Sequence, residues 1–183
     1  MSVFERAFAA LIGYEGGFTN DPADPGNWTG GAVGAGICRG TKWGISAAAY
    51  PTLEIRDVTE DDARAIYLQR YWGPICGEQL APALGLLVFD SAVNNGVNRA
   101  IRLLQASVGA EEDGLLGPRT LAAVRASNPL AVCGEFQARR LLFMVGLPTW
   151  RIFGLGWARR LCGLPFQAQA LGIGSAAVPS PGG

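Results

Sequence analysis

The chain has 183 residues, 49% of them apolar and 16% charged, a composition that suits a packed globular protein and excludes a disordered one. Histidine is absent, which removes Ser-His-Asp and Cys-His hydrolases and His-based zinc sites while leaving carboxylate chemistry open. The formal net charge is zero but unevenly spread: residues 1–113 carry 14 acidic and 8 basic side chains, whereas residues 114–183 carry one acidic and seven basic.

A first helix is expected over residues 2–15. Ser2 and Glu5 make a capping-box pattern, and Phe4, Phe8, Leu11 and Glu15 recur at helical spacing on one face. Gly16 and Gly17 then stop it. Residues 16–46 are rich in Gly, Asn, Asp and Pro and predict turns, with strand character only in Thr41-Lys42-Trp43-Gly44-Ile45-Ser46. Thr59 caps a second helix whose first turn holds Glu60, Asp61 and Asp62. Pro82 opens an apolar helix to about Asn94, closed by Asn95-Gly96, and another helix runs from about Asn98 to Val108. Asp113-Gly114 turns the chain, Pro118 and Pro129 start two more helices, and a last amphipathic segment spans Trp150 to Leu161. Beyond Phe166 the small residues predict a flexible tail. The fold class is therefore mainly α, helical with a small loop and β-hairpin insertion after the first helix.

Within this frame Glu15 is the candidate general acid. It shares an apolar helix face and sits at the negative end of the helix dipole, and both effects disfavour its ionised form. A glutamate pointing at solvent is the plainer alternative. The partner carboxylate is expected to be Asp24, in a polar turn-rich loop nine residues on, with Asp21 its rival; either aspartate also suits an Asx turn before proline. Thr41 is a candidate to hold an attacking water, or simply the start of a strand. Trp43 and Tyr50 are candidate sugar-stacking rings or core aromatics, and Trp28, inside a glycine-rich loop, is the better candidate for an exposed platform. Asn94 and Asn95 suit hydrogen bonds to an acetamido group, or merely end their helix. Asp90, inside an apolar run, requires a partner such as Arg99 or a backbone group.

Cys38, Cys76, Cys133 and Cys162 form no Cys-x-x-Cys pair and are expected to be reduced thiols, mostly buried. No metal or cofactor is implied. No apolar run approaches the roughly 20 residues that span a bilayer, so no membrane insertion is expected. The N-terminus lacks a signal-peptide pattern, which predicts synthesis in the cytoplasm without export by that route. The basic C-terminal part suits an anionic wall polymer or simply solvated helix faces. Nucleic acid is a poor partner for a chain with one lysine and no basic run among aromatics.

Three motifs of the first half, Glu15-Gly16-Gly17-Phe18, Asn20-Asp21-Pro22-Ala23-Asp24-Pro25-Gly26 and Thr41 through Ser46, resemble the N-terminal part of the glycoside hydrolase family 108 muramidases, which are phage-type lysozymes. The second half is similar to the predicted peptidoglycan domain that follows in that family. The matching residues are Tyr71-Trp72, Phe89-Asp90 through Asn94-Asn95-Gly96, Leu104-Gln105, Asp113-Gly114 and Gly117-Pro118-Arg119-Thr120. The resemblance implies a lysozyme-like fold, hydrolysis of the β-1,4 bond between N-acetylmuramic acid and N-acetylglucosamine, and Glu15 as catalytic acid. The Glu15 to Asp24 spacing also resembles that of the acidic pair in phage-type lysozymes. It implies a catalytic half over 1–70, a wall-binding helical half over 71–166 and a tail over 167–183, in a monomer acting on a peptidoglycan glycan strand. Delivery to the periplasmic wall would run through a phage particle or a holin pore. Residues 27–40 form a longer link than the shortest family members have; they extend a substrate cleft or are a tolerated insertion. A lytic transglycosylase and a non-catalytic wall-binding or virion structural protein are the competing expectations.

Overall fold

The computed structural model describes residues 1–12 and 17–170. They form seven α-helices and one two-stranded hairpin, the mainly helical architecture expected. The chain sorts into two units, one of Leu11–Gln69 and one of Met1–Ala10 with the chain from Arg70 onward.

Helix α1 (Val3–Ile12) starts where the Glu5 N–H donates to the Ser2 hydroxyl over 3.1 Å. The expected continuation to Glu15 lies outside the described residues.

In the Leu11–Gln69 unit, β1 (Thr41–Lys42) and β2 (Ile45–Ser46) pair antiparallel with Thr41 opposite Ser46. Their two-residue turn, Trp43-Gly44, has positive φ at both positions (52° and 72°), the requirement of a type I′ hairpin. Gly44 is irreplaceable on two counts, since a Cβ there would also lie 2.4 Å from the Tyr67 hydroxyl. Helix α2 (Glu60–Tyr67) begins with a complete capping box: Thr59 Oγ1 accepts from the Asp62 N–H, and the Asp62 carboxylate accepts from the Thr59 N–H. The Thr59 hydroxyl, which donates to Asp62 Oδ2 at 2.6 Å, and after it the Thr59 N–H hold the Asp62 carboxyl below the usual aspartate range. The 27–40 segment is an ordered ladder. Trp28 and Cys38 pair as an isolated bridge, the Thr29 N–H donates to the Ile37 carbonyl (3.0 Å), and the Ile37 N–H returns to Thr29 Oγ1 (2.9 Å).

The other unit is built on α3 (Pro82–Asn95), buried from Leu84 to Ala92 and packed against α4 (Val97–Ser107), α6 (Pro129–Val145) and α7 (Trp150–Ala170). Pro82, Pro118 and Pro129 each open their helix, α5 being Pro118–Ala126. Phe4, Phe8, Trp72 and Phe89 form an aromatic cluster with centroids 5.4–6.1 Å apart, Trp72 standing edge-on to Phe89 at 89°. Such pairs add about 0.5–1.5 kcal/mol beyond their buried area. Gly77 is required beside this cluster, because a Cβ would lie 2.3 Å from the Trp72 indole.

Two polar networks complete this unit. Gln105, fully buried, donates to the Asp113 carboxylate (2.6 Å), the Leu115 carbonyl (3.1 Å) and Thr120 Oγ1 (3.2 Å), and accepts from the Gly114 N–H (2.9 Å). The Leu115 N–H and Gln105 together hold the Asp113 carboxyl below its ordinary range. Asp90 is also fully buried, and its partners correct the expectation of Arg99. Arg140 Nη1 on α6 lies 2.7 Å from one carboxylate oxygen, and Arg160 on α7 donates to the other from Nε (2.8 Å) and Nη2 (2.5 Å). Arg99 instead lies over the Phe143 ring at 4.6 Å. Asp90 faces the helices packed on α3, whereas Arg99 occupies the exposed side of α4.

Two further expectations are corrected. The cysteines are not mostly buried: Cys38, Cys76 and Cys133 are half-buried and Cys162 is exposed. The last helix does not end near Leu161 but runs to Ala170 with Pro165 inside it, because Leu164 and Ala168 are buried against the unit.

Candidate active site

Glu15 lies outside the described residues. Asp21, Asp24, Trp28, Thr41 and Trp43 all belong to the Leu11–Gln69 unit, and Asn94 and Asn95 belong to the other.

The stretch following Glu15 in the chain is fastened to β1. Thr19 and Thr41 exchange backbone hydrogen bonds of 2.9 and 2.7 Å. Gly40, at φ +85°, makes room for this approach; a Cβ there would sit 2.3 Å from the Thr19 carbonyl oxygen. The loop then turns twice, each time on an aspartate. Asp21 Oδ1 accepts from the Ala23 N–H at 2.9 Å, and Asp24 Oδ1 accepts from the Gly26 N–H at 2.8 Å, capping the short 3₁₀ turn Pro25–Asn27. Both aspartates are therefore Asx-turn residues, and both side chains are exposed. Only one oxygen of each is engaged by these turns. The Asx-turn role and a role toward substrate are thus compatible.

Asn27 organises the loop, and sequence reasoning missed it. It is fully buried. Its Nδ2 donates to the Asp21 carbonyl (3.0 Å), its Oδ1 accepts from the Thr41 hydroxyl (2.7 Å), and its own carbonyl accepts from the Arg39 and Gly40 N–H groups (2.9 and 3.1 Å). One side chain thus ties the aspartate loop to the hairpin strand. Thr41 has a single hydroxyl proton, committed inward to Asn27, so its lone pairs act only as acceptors. That is the polarity needed to orient a water by one of its hydrogens. In the sequence, Asn27 follows Pro-Gly and reads as an ordinary turn residue; nothing local marks it as buried.

Trp28 is not the freely exposed ring expected. It is half-buried, and its Nε1–H donates to the Pro22 carbonyl at 2.9 Å, folding the indole back over the loop. Trp43 is half-buried at the hairpin tip. Behind β1, Arg39 Nη1 donates to the Pro51 and Leu53 carbonyls (both 3.3 Å) and Lys42 Nζ to the Arg56 carbonyl (2.8 Å). Two of this unit's basic side chains therefore brace loops.

Asn94 and Asn95 are both engaged within their own unit. Asn94 Nδ2 donates to the Asp90 carbonyl one turn back at 2.7 Å. Asn95 Oδ1 accepts from Ser91 Oγ (3.2 Å) and from Arg140 Nε (2.9 Å), joining the Asp90 network. Among the described residues no three metal-ligating side chains cluster.

Comparison with known proteins adds three findings. A family model described as glycosyl hydrolase 108 matches residues 8–96. Among solved structures, SagA of Brucella abortus is similar over nearly its whole length, at 31% identity, with 95% of this chain and 98% of that chain covered and a TM-score of 0.78. No curated protein matches.

Proposed function

The chain belongs to the glycosyl hydrolase 108 family, with the lysozyme-like helical fold, and from that premise we propose that it is a muramidase cleaving the β-1,4 bond between N-acetylmuramic acid and N-acetylglucosamine of peptidoglycan. One observation supports the reading most: buried Asn27 ties the loop bearing the exposed Asp21 and Asp24 to Thr41, whose hydroxyl is left with lone pairs that can only accept. Glu15 protonates the leaving oxygen. Asp24 acts as base toward water or stabilises the positively charged sugar, and Thr41 orients that water. Helices α4 to α6, with their excess of arginine over acidic side chains, bind the anionic wall polymer.

The test is lysis of purified walls by Glu15→Gln. Turbidity loss should fall on the order of 10²–10⁴-fold while wall binding and thermal unfolding stay unchanged. Asp24→Asn should fall comparably and Asp21→Asn far less. Products of the parent enzyme should carry a reducing end; an anhydro-sugar would make it a transglycosylase, and undiminished lysis by Glu15→Gln would remove the assigned acid.

A further inference from the structure

Helix α7 is apolar on both sides. One side packs through Gly154, Leu161, Leu164 and Ala168. The opposite side leaves Ile152 (76% exposed), Leu155 (67%) and Phe166 (73%) in the open. Phe153, half-exposed, stacks on Trp157 at 6.0 Å, and Trp157 on Trp150 at 6.1 Å, so the start of the helix carries three adjoining rings. Large apolar side chains gathered opposite the packed side of a helix mark a face that is normally covered.

Charge indicates what covers it. Arg151 and Arg159 are exposed on this helix, and among the described residues neither has an ion-pair partner, unlike Arg139 with Glu135 and Arg160 with Asp90. No aspartate or glutamate occurs anywhere after Glu135. A second copy docked on this face would bring the same cations together without an acid to answer them. An anionic bilayer surface meets both features at once, taking the apolar side chains and rings into the headgroup boundary and the guanidinium groups against lipid phosphates. No helix among the described residues is long and apolar enough to cross a membrane, so the contact is interfacial.

We infer that the outer face of α7 seats the protein on an anionic lipid surface, independently of the glycosidase site. The test is co-sedimentation of the full chain with vesicles of phosphatidylglycerol mixed into phosphatidylcholine, against phosphatidylcholine alone. Binding should require phosphatidylglycerol and weaken as salt rises. Arg151→Gln with Arg159→Gln should lower the partition coefficient roughly 30-fold, and Ile152→Ser with Leu155→Ser at least about tenfold, both with unchanged thermal unfolding and unchanged lysis of isolated walls. No pelleting with phosphatidylglycerol overturns the inference. So does pelleting that these substitutions leave intact, or a concentration-dependent dimer that Ile152→Ser with Leu155→Ser abolishes.

Discussion

The Thr41 hydroxyl donates across 2.7 Å to the amide oxygen of Asn27, a fully buried side chain fourteen residues earlier in the chain. Because the amide nitrogen is already given to the Asp21 carbonyl, the orientation of Asn27 is fixed from both ends. Thr41→Val leaves a buried acceptor unpaired and should cost about 1–3 kcal/mol in urea unfolding. Thr41→Ser keeps the donor and should retain most of that stability. If Thr41 also orients the attacking water, lytic kcat in Thr41→Val falls well beyond the fraction unfolded and Thr41→Ser restores it. A kcat that merely tracks the folded fraction would reduce Thr41 to a brace.

Local chemistry made the helices legible. Thr59 with Asp62 announced α2, and Pro82, Pro118 and Pro129 stand at the starts of α3, α5 and α6. Trp43-Gly44 between short strand-like pairs placed the hairpin. What stayed hidden depended on distant contacts. Asp90 is answered by arginines 50 and 70 positions away, and α7 runs through Pro165 because burial of Leu164 and Ala168 outweighs the lost N–H. Asn27 was hidden differently, since a buried asparagine and a turn asparagine look alike in sequence. Glu15, on which the sequence argument leaned most, falls among residues 13–16, outside those described.

Trp43 holds φ +52° at the first turn position, where a bulky residue stores on the order of 1–3 kcal/mol of strain. Asn-Gly is the favoured pair for such a turn, so Trp43→Asn should leave the melting temperature unchanged or raise it. A ring kept there against its backbone preference suits sugar stacking. The same variant should therefore raise KM for glycan by up to roughly tenfold with kcat little changed. A lowered melting temperature with KM unmoved would instead assign the ring to packing.

Asp113 predicts the acid limb of stability. Its folded pKa is depressed below the ordinary aspartate value of 3.8 by the Leu115 N–H and Gln105. A depressed carboxyl contributes stability that is fully present above the ordinary value and is lost as pH falls through the lowered one. Asp113→Asn should accordingly be destabilising at neutral pH and converge on the parent protein in the acid range. Parallel stability curves for the two proteins down to that range would contradict the assignment.

The strongest stability effect is expected at Asp90. Burial pushes the Arg140 guanidinium below its ordinary pKa and Asp90 works in the opposite direction, yet an arginine does not give up its proton in a protein. Asp90→Asn therefore strands a fully buried cation and should cost about 3–5 kcal/mol in denaturant unfolding. Arg160 contacts the same carboxylate, but its side chain is 40% exposed, so Arg160→Gln should cost no more than about 1 kcal/mol. Replacing Asp90 and Arg140 together by leucine and methionine should recover most of the loss, since the penalty belongs to the unpaired charge rather than to the absence of the pair. Equal losses for Asp90→Asn and Arg160→Gln would show instead that the solvent-side arginine, not the buried one, holds the three helices together.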